Sequence, residues 1–214
     1  IGLGRDGALA ELLLIDDVAS LVPLDGVAPV VAAPLTDAGL TPYHAIARSR
    51  ARFAPGSTAL VIGVGGLGHL AIQMLGTMAG VTIVAVDVEE TRLSLARSLG
   101  AAHAVLGADA PAVIAGITEG AGADVVLDLV GSQATIDLAL RCLAQHGDLT
   151  LVGLGGGAAP VGLATVPLGT TVRTTFWGSR AELVEVLALA RGGQLDVVTT
   201  AITLDDVLEG YAAL

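Results

Sequence analysis

The sequence predicts an α/β fold: a doubly wound, six-stranded parallel sheet with helices on both faces. Three observations predict it. From Thr58 onward, short runs rich in β-branched residues alternate with amphipathic stretches, the pattern of successive βαβ units. The strand-like runs, among them TALVIG and VTIVAVD, are apolar at consecutive positions, as strands covered on both sides must be. A chain of 214 residues that is 53% hydrophobic and only 14% charged can bury a sizeable core, which excludes the disordered class.

Taken in order, the strands are expected at 58–63, 81–87, 102–106, 123–130, 148–153 and 170–176. Helices are expected near 66–79, 89–99, 109–118 and 132–144, the second closed by Gly100 just past its end. Ahead of the sheet, residues 1–36 combine a strand-like ALAELLLID with the proline-punctuated VPLDGVAPVVAAPL. Proline cannot sit in a central strand, so this stretch is expected to belong to another domain. A helix then runs through Tyr43 and His44. After the sixth strand, SRAELVEVLALARGGQ opens with Ser179 followed three residues later by Glu182, a capping box, and lies outside the sheet. Gly155-Gly156-Gly157 reads as a flexible turn. Both ends read as cut: the chain begins Ile1-Gly2-Leu3 without Met, and Tyr211-Ala212-Ala213-Leu214 stops inside a helical pattern that has no stop signal.

Composition narrows the function classes. No apolar run reaches the ~18–20 residues of a membrane-spanning helix, and the N-terminus has no secretory signal pattern. With Cys142 as the single cysteine, no intramolecular disulfide can form, and a cytoplasmic protein is expected. A net charge of −11 without a basic cluster excludes nucleic acid as a partner. All ten basic residues are Arg, so Schiff-base chemistry, a phosphate-binding P-loop lysine and a Tyr/Lys catalytic pair are excluded. Cys142, beside Leu138 and Leu140 on an amphipathic helix, reads as a buried, inert thiol. His44, His69, His103 and His146 lack ligand spacing and read as surface or satisfied histidines; Asp16 and Asp17 read as a solvated strand end.

The segment VIGVGGLGHLAIQ presents Gly63, Gly65 and Gly68 as G-x-G-x-x-G, with Gly66 between, directly after a strand and opening a helix. In that setting the first glycine permits the tight turn, the second lets a pyrophosphate approach the backbone, and the third lets helix pack on strand. Free N–H groups at the helix start would then hold the phosphates. The next strand ends in Asp87, 24 residues beyond Gly63, close to the ~20 expected for the acid that receives the adenosine ribose hydroxyls. Glu89 and Glu90 follow, so a 2′-phosphate would meet negative charge, and NAD is expected over NADP. Asp87 also reads as a cap for the helix at 89–99.

Together, DAGLTPYHAI, VIGVGGLGHLAIQ, AVDVEETRLSLARSLGA, DVVLDLVG and TTFWGSRAELVEVLALAR make nearly the whole chain resemble the zinc-containing medium-chain alcohol dehydrogenases, particularly the bacterial NAD-dependent secondary-alcohol type. The resemblance implies a Rossmann domain at 39–177 flanked by partial elements of a GroES-like catalytic domain, its first segment ending at 1–38 and its return at 178–214. It implies that the earlier catalytic segment, with a zinc-binding Cys, a zinc-binding His and the proton relay, is absent. By the same resemblance, Asp37 stands where the family has the third protein ligand of the catalytic zinc; on physical grounds alone it reads as a cap for the helix through Tyr43 and His44.

Thr41 resembles the threonine beside the nicotinamide and Leu67 the aliphatic residue behind its ring. Arg92 resembles the basic residue along the adenosine, and Val130, Val152 and Gly153 fall on cofactor-lining positions, the last two under the nicotinamide ribose. Thr175 and Trp177 match positions whose backbone holds the carboxamide, with the Trp177 ring facing the substrate pocket; core packing or subunit contact is the other reading of that ring. The implied activity is hydride transfer between a small alcohol and NAD with zinc as Lewis acid, in a dimer or tetramer formed through the last strand near 170–176. Two alternatives stay open. One is a zinc-free quinone or enoyl reductase relative, against which Asp87 and Asp37 both speak. The other is a shortened NAD-binding module without turnover, since Asp37 alone cannot hold a catalytic metal.

Overall fold

The structure, a computed structural model, describes residues 7–78 and 80–212. The chain ends at 1–6 and 213–214, and Ala79 at the close of the helix expected over 66–79, lie outside the described residues. The fold opens with helix α1 (Pro29–Pro34), a widened π turn (Leu35–Gly39) and helix α2 (Leu40–Arg48), which follow one another without a break. Pro42 has no N–H to donate, and its ring crowds the carbonyl four residues earlier, at Ala38, which falls inside the widened turn. The helical run crosses the boundary expected at 38/39.

Six strands follow, each leading into the next through a helix or a long loop. They are β1 (Thr58–Ile62), β2 (Thr82–Asp87), β3 (His103–Leu106), β4 (Ala123–Asp128), β5 (Leu143–Leu151) and β6 (Thr171–Thr174). Between them stand α3 (Gly68–Gly76), α4 (Glu90–Ser98), α5 (Ala110–Ile117) and α6 (Gln133–Cys142); α7 (Arg180–Arg191) and α8 (Val207–Ala212) close the chain. All pairings are parallel, and the order β3-β2-β1-β4-β5-β6 confirms the doubly wound sheet. Winding reverses between β1 and β4, and the crevice outside the C-terminal ends of these two strands is where such sheets take ligands.

Every residue of β1 is buried because each face packs against helices. Ala59 and Val61 join Ile83, Ala85, Val125 and Leu127 beneath Leu70, Ile72, Leu75 and Leu93 of α3 and α4. Leu60 and Ile62 join Val84, Val86, Val126 and Leu149 against Ile114 of α5 and Leu138, Ala139 and Cys142 of α6. Helix α7 lies outside the sheet and packs on α2 and the π turn, its capping box formed by Ser179 and Glu182 as expected. Cys142 is buried as expected, and burial pushes its thiol up to about 11.

Two expectations are corrected. Residues 8–16, read as strand-like, form no strand, and Leu9, Leu12 and Leu14 are exposed. A β-ladder needs a partner strand, and among the described residues none pairs with this segment. The fifth strand begins at Leu143, ahead of the expected 148, and the sixth helix stops at Cys142. Its early part pairs Leu143 with Ala123, and regular pairing resumes only at Val125 with Asp148. Gln145, His146 and Gly147 bulge between, His146 at φ +61°, which hides the strand in polar, turn-like sequence.

Asp148, 3% exposed, accepts from Arg52 Nε at 3.1 Å and Arg173 Nη2 at 2.9 Å, while Arg173 Nη1 donates to Ser49 Oγ at 2.8 Å. The cluster ties β5 and β6 to the end of α2. Burial alone would raise the Asp148 carboxyl; hydrogen bonds from Arg173, Arg52 and Ser49 outweigh it and hold the group below the ordinary Asp value. Stability from this ionised group is therefore full above the ordinary value and falls away as pH drops through the folded one. Asp148→Ala leaves two arginines facing a void and is expected to cost about 3 kcal/mol at pH 7. In urea titrations at pH 7 and pH 3, the gap between wild type and variant should narrow on acidification.

Candidate functional site

Strand β1 delivers the chain into its turn at Gly63, where φ is +92° and a Cβ would lie 2.7 Å from the Val130 side chain. Gly68 opens α3 so close to the strand exit that a Cβ there would lie 1.9 Å from the Gly63 carbonyl oxygen. Gly65 and Gly66 behave oppositely: a Cβ on either meets nothing within 4 Å, so the outer side of the loop is open. These glycines, with Leu67, Asp87, Glu89, Arg92 and Val130, line an open cleft of about 290 Å³ at the head of α3.

Asp87 ends β2 at the same level. Its Oδ2 accepts from the Val64 N–H at 2.7 Å; its Oδ1 accepts from Val88 at 2.7 Å and Glu89 at 3.1 Å. Three backbone donors thus hold one carboxylate across the glycine loop. The N-cap of α4 is Glu89 and has no side-chain cap bond, so Asp87 holds the turn ahead of the helix instead of capping it. Arg92 reaches back from α4, its Nη1 3.4 Å from the Val64 carbonyl and its Nε 3.8 Å from Glu89. Beyond Asp87 lies a mainly apolar slot of about 400 Å³ lined by Val86, Val88, Gly107, Val130, Thr135 and Leu138 among others. Sequence reading missed this slot except for Asp87, Gly63 and Val130, because its walls come from four separate loops and helices.

Asp128, fully buried at the end of β4, organises the next turn: Oδ1 accepts from Val130 at 3.0 Å and Gly131 at 2.9 Å, and Oδ2 accepts from Thr135 Oγ1 at 3.0 Å. Gly131, at φ +71°, touches the loop after β5: a Cβ would lie 2.0 Å from the Gly153 carbonyl oxygen. Gly155 N–H donates to Val130 at 3.0 Å and Gly157 N–H to Gly131 at 2.9 Å. The glycine run read as a flexible turn is therefore paired, backbone to backbone, with the turn after β4. Val152, Gly153 and Thr175 line a third cavity of about 510 Å³, into which Phe176 also projects. Trp177 does not line it; its ring lies 4.8 Å from that of Phe176, tilted 36°, and its backbone takes φ +54°, rare for a bulky residue.

Asp37 and Thr41 meet on the helical run: Thr41 Oγ1 donates to Asp37 Oδ1 at 2.9 Å. Asp37 sits inside the widened turn, so the capping reading of it does not hold. Among the described residues no group of three or more His, Cys, Asp or Glu comes together in a way that could hold a metal ion. His44 Nδ1 lies 2.8 Å from Glu182 Oε1, and Tyr43 donates to Glu185, clamping α2 to α7. Burial raises the Glu182 carboxyl; the Ser179 and His44 hydrogen bonds outweigh it and lower it.

The open glycine loop, the strand-terminal carboxylate and the apolar slot lie together at the head of α3. Residues 66–192 match the family model described as zinc-binding dehydrogenase. The chain is 35% identical to a NAD-dependent alcohol dehydrogenase of Sulfurisphaera tokodaii, over 98% of this chain and 61% of that one. It is 31% identical to a D-arabinose 1-dehydrogenase (NADP(+)) of Saccharolobus solfataricus, over 100% of this chain and 62% of that one. The solved structure of the alcohol dehydrogenase from Aeropyrum pernix superposes with a TM-score of 0.78 at 35% identity, over 86% of this chain and 54% of that one. The chain thus spans about three-fifths of the length of the curated relatives it matches.

The glycine geometry predicts opposite outcomes for two similar substitutions. Gly68→Ala forces a Cβ onto a backbone oxygen and is expected to cost about 3 kcal/mol. Gly65→Ala fills open space and should change the urea midpoint by less than about 1 kcal/mol equivalent. Chemical unfolding of both variants checks the pair; equal losses would contradict the packing argument.

Proposed function

The chain belongs to the family of zinc-binding dehydrogenases, and on that premise we propose that it carries the NAD-binding part of an alcohol dehydrogenase. The observation that supports this most is the juxtaposition of an open glycine loop and a strand-terminal carboxylate, Gly65 and Gly66 beside Asp87. Gly65 and Gly66 leave the volume a pyrophosphate needs, and the N–H groups at the head of α3 face its charge. Asp87, already fixed by three backbone N–H groups, two of them on Oδ1, keeps a lone pair on Oδ2 for a ribose hydroxyl. The apolar slot beyond it suits an adenine ring. Arg92 lies along the adenosine, Val130, Val152 and Gly153 line the path to the nicotinamide, and Leu67 and Thr41 bracket its ring. The backbone of Thr175 and Trp177 is left for the carboxamide.

NAD, when bound, accepts hydride from the alcohol carbon. The chain's own residues orient it: Leu67 backs the ring and leaves one face for hydride transfer, and the buried Thr41, anchored to Asp37, lies beside the ring. Zinc does not fit this chain's described residues by themselves. Asp37 is one carboxylate, already bonded to Thr41, and no cluster of three donors surrounds it. No step proposed here runs through a metal; Asp37 is a candidate ligand that requires donors from outside the described residues. Residues 39–177 make the cofactor unit, with 1–38 and 178–214 as the margins of a second one. A small alcohol and its ketone or aldehyde are the substrate pair of the whole protein. Strand β6 stands at the edge of the sheet with one side unpaired, which supports self-association there.

Relatives are named for both NAD and NADP(+), and in this reading Asp87 selects between them. A 2′-phosphate would face Asp87 and Glu89 together. Calorimetric titration should give NAD at least about tenfold tighter binding than NADP, and Asp87→Ala should weaken NAD about tenfold while narrowing that ratio. Equal affinity of the wild type for the two cofactors would remove the assignment. The donor count around Asp37 favours binding without turnover by this polypeptide alone. With NAD, an alcohol series and added zinc, the 214-residue chain is expected to bind cofactor and produce no NADH absorbance at 340 nm; zinc-dependent NADH formation would contradict that.

A further inference from the structure

We propose that His69 is a positioning residue of the glycine loop, setting the orientation of the Gly65–Gly66 peptide and through it the affinity for the dinucleotide's phosphates; this rests on the cofactor reading above. His69 lies in the first turn of α3 and is 5% exposed. Its Nδ1 is 3.0 Å from the Gly65 carbonyl oxygen. A carbonyl only accepts, so Nδ1 carries the ring proton. Nε2 is then the acceptor, and the Val198 N–H donates to it at 3.4 Å. The tautomer is thus assigned by the two partners, one on each side of the ring.

Gln73, one turn further along α3, makes a parallel set of contacts. Its Nε2 donates to the Asp196 carbonyl at 3.0 Å, and its Oε1 accepts from the Asp196 N–H at 2.6 Å. Both side chains hang residues 196–198 on the same helix face. Only His69 also reaches the loop.

The consequence follows from peptide geometry. No cis peptide bond occurs among the described residues. In a planar trans unit, C=O and the following N–H point in opposite directions. With the Gly65 carbonyl held towards α3 by the His69 ring and by the His69 N–H at 3.2 Å, the Gly66 N–H is turned away from the helix. A Cβ at Gly65 or Gly66 would meet nothing within 4 Å, so the loop carrying this N–H has room beside it for a phosphate. Glycine tolerates a wide range of backbone angles, so with the ring contact gone and the His69 N–H left to hold the carbonyl at 3.2 Å, the peptide is set less sharply and its donor faces the ligand less of the time.

The contacts separate into two halves that two substitutions can test. The Asn side-chain amide reaches the Nδ1 position, keeping the Gly65 contact and losing the Val198 one. The Gln amide reaches the Nε2 position and does the reverse. In calorimetric NAD titrations of the 214-residue chain, His69→Gln should weaken binding about fivefold to tenfold, the value of one hydrogen bond, and His69→Asn should stay within about twofold of wild type. Gln73→Ala loosens 196–198 without touching Gly65, and should lower the thermal midpoint while leaving NAD affinity unchanged. Undiminished affinity in His69→Gln, loss in His69→Asn equal to that in His69→Gln, or an equal loss in Gln73→Ala each overturns the proposal. A wild type that binds no NAD removes the cofactor reading and this inference with it; a wild type that binds while His69→Gln binds as well removes only this inference. One measurement needs no variant. Long-range 1H–15N spectra of the His69 ring should show Nδ1 as the protonated nitrogen, with its signal shifted by saturating NAD. An Nε2–H tautomer, or a signal NAD leaves unmoved, overturns the proposal even where a variant fails to fold.

Discussion

The arrangement depends on backbone meeting backbone where the sheet reverses its winding. At the ends of β1, β4 and β5, three consecutive turns approach so closely that glycine is required: Gly68 against Gly63, Gly131 against Gly153, and Gly155 and Gly157 against the turn after β4. These contacts bring the exits of the three strands to one level and draw the loops aside. The crevice is the space left over. A side chain at Gly63, Gly68, Gly131 or Gly153 would separate the loops before it touched any ligand, whereas Gly65 and Gly66 are glycines for which the protein itself has no packing need. Two of the three motif glycines therefore serve the fold, and one serves what the loop holds.

The apolar character of the chain sharpens the role of the few acids on its strands, two of them buried. Asp124 accepts from the Thr58 N–H at 2.8 Å at the N-terminal end of β1, Asp128 closes the turn after β4, and Asp148 gathers Arg52 and Arg173. Asp87 closes the turn after β2. Each is met by backbone N–H groups or by Arg, which keeps its charge at every ordinary pH and binds a carboxylate in fixed geometry. Of these four, Asp87 is the one whose own side chain lines the cleft, where the bonding that serves as structure elsewhere leaves it facing open space.

Much of this was legible in the residues. The six strands, their parallel pairing and the glycine loop followed from consecutive apolar runs and from a motif placed between strand and helix. What escaped had physical reasons. The start of β5 lies in Leu143-Ala144-Gln145-His146-Gly147, where a bulge turns His146 to positive φ and breaks any periodicity. Gly155 to Gly157 looked free because a loop's partners, here Val130 and Gly131, are remote in sequence. Asp128 gave no signal at all, since an acid at a strand end reads alike whether it caps, binds or staples. The apolar stretch at 8–16 has strand composition, and composition does not supply a neighbouring strand.

The same reasoning separates what this chain can do for the cofactor from what it can do for a metal. The cleft residues lie within Gly63–Arg92 and in the turn after β4, and Val152 and Gly153 lie in the turn after β5. Asp37 is different. It lies in a π turn forced by Pro42, a helical irregularity of the kind found at functional sites, yet its one side-chain partner is Thr41. That bond, within one turn of the helical run, fixes the direction of the carboxylate. The cleft residues thus gather at neighbouring strand ends of one sheet, whereas Asp37 belongs to no group of three or more His, Cys, Asp or Glu among the described residues.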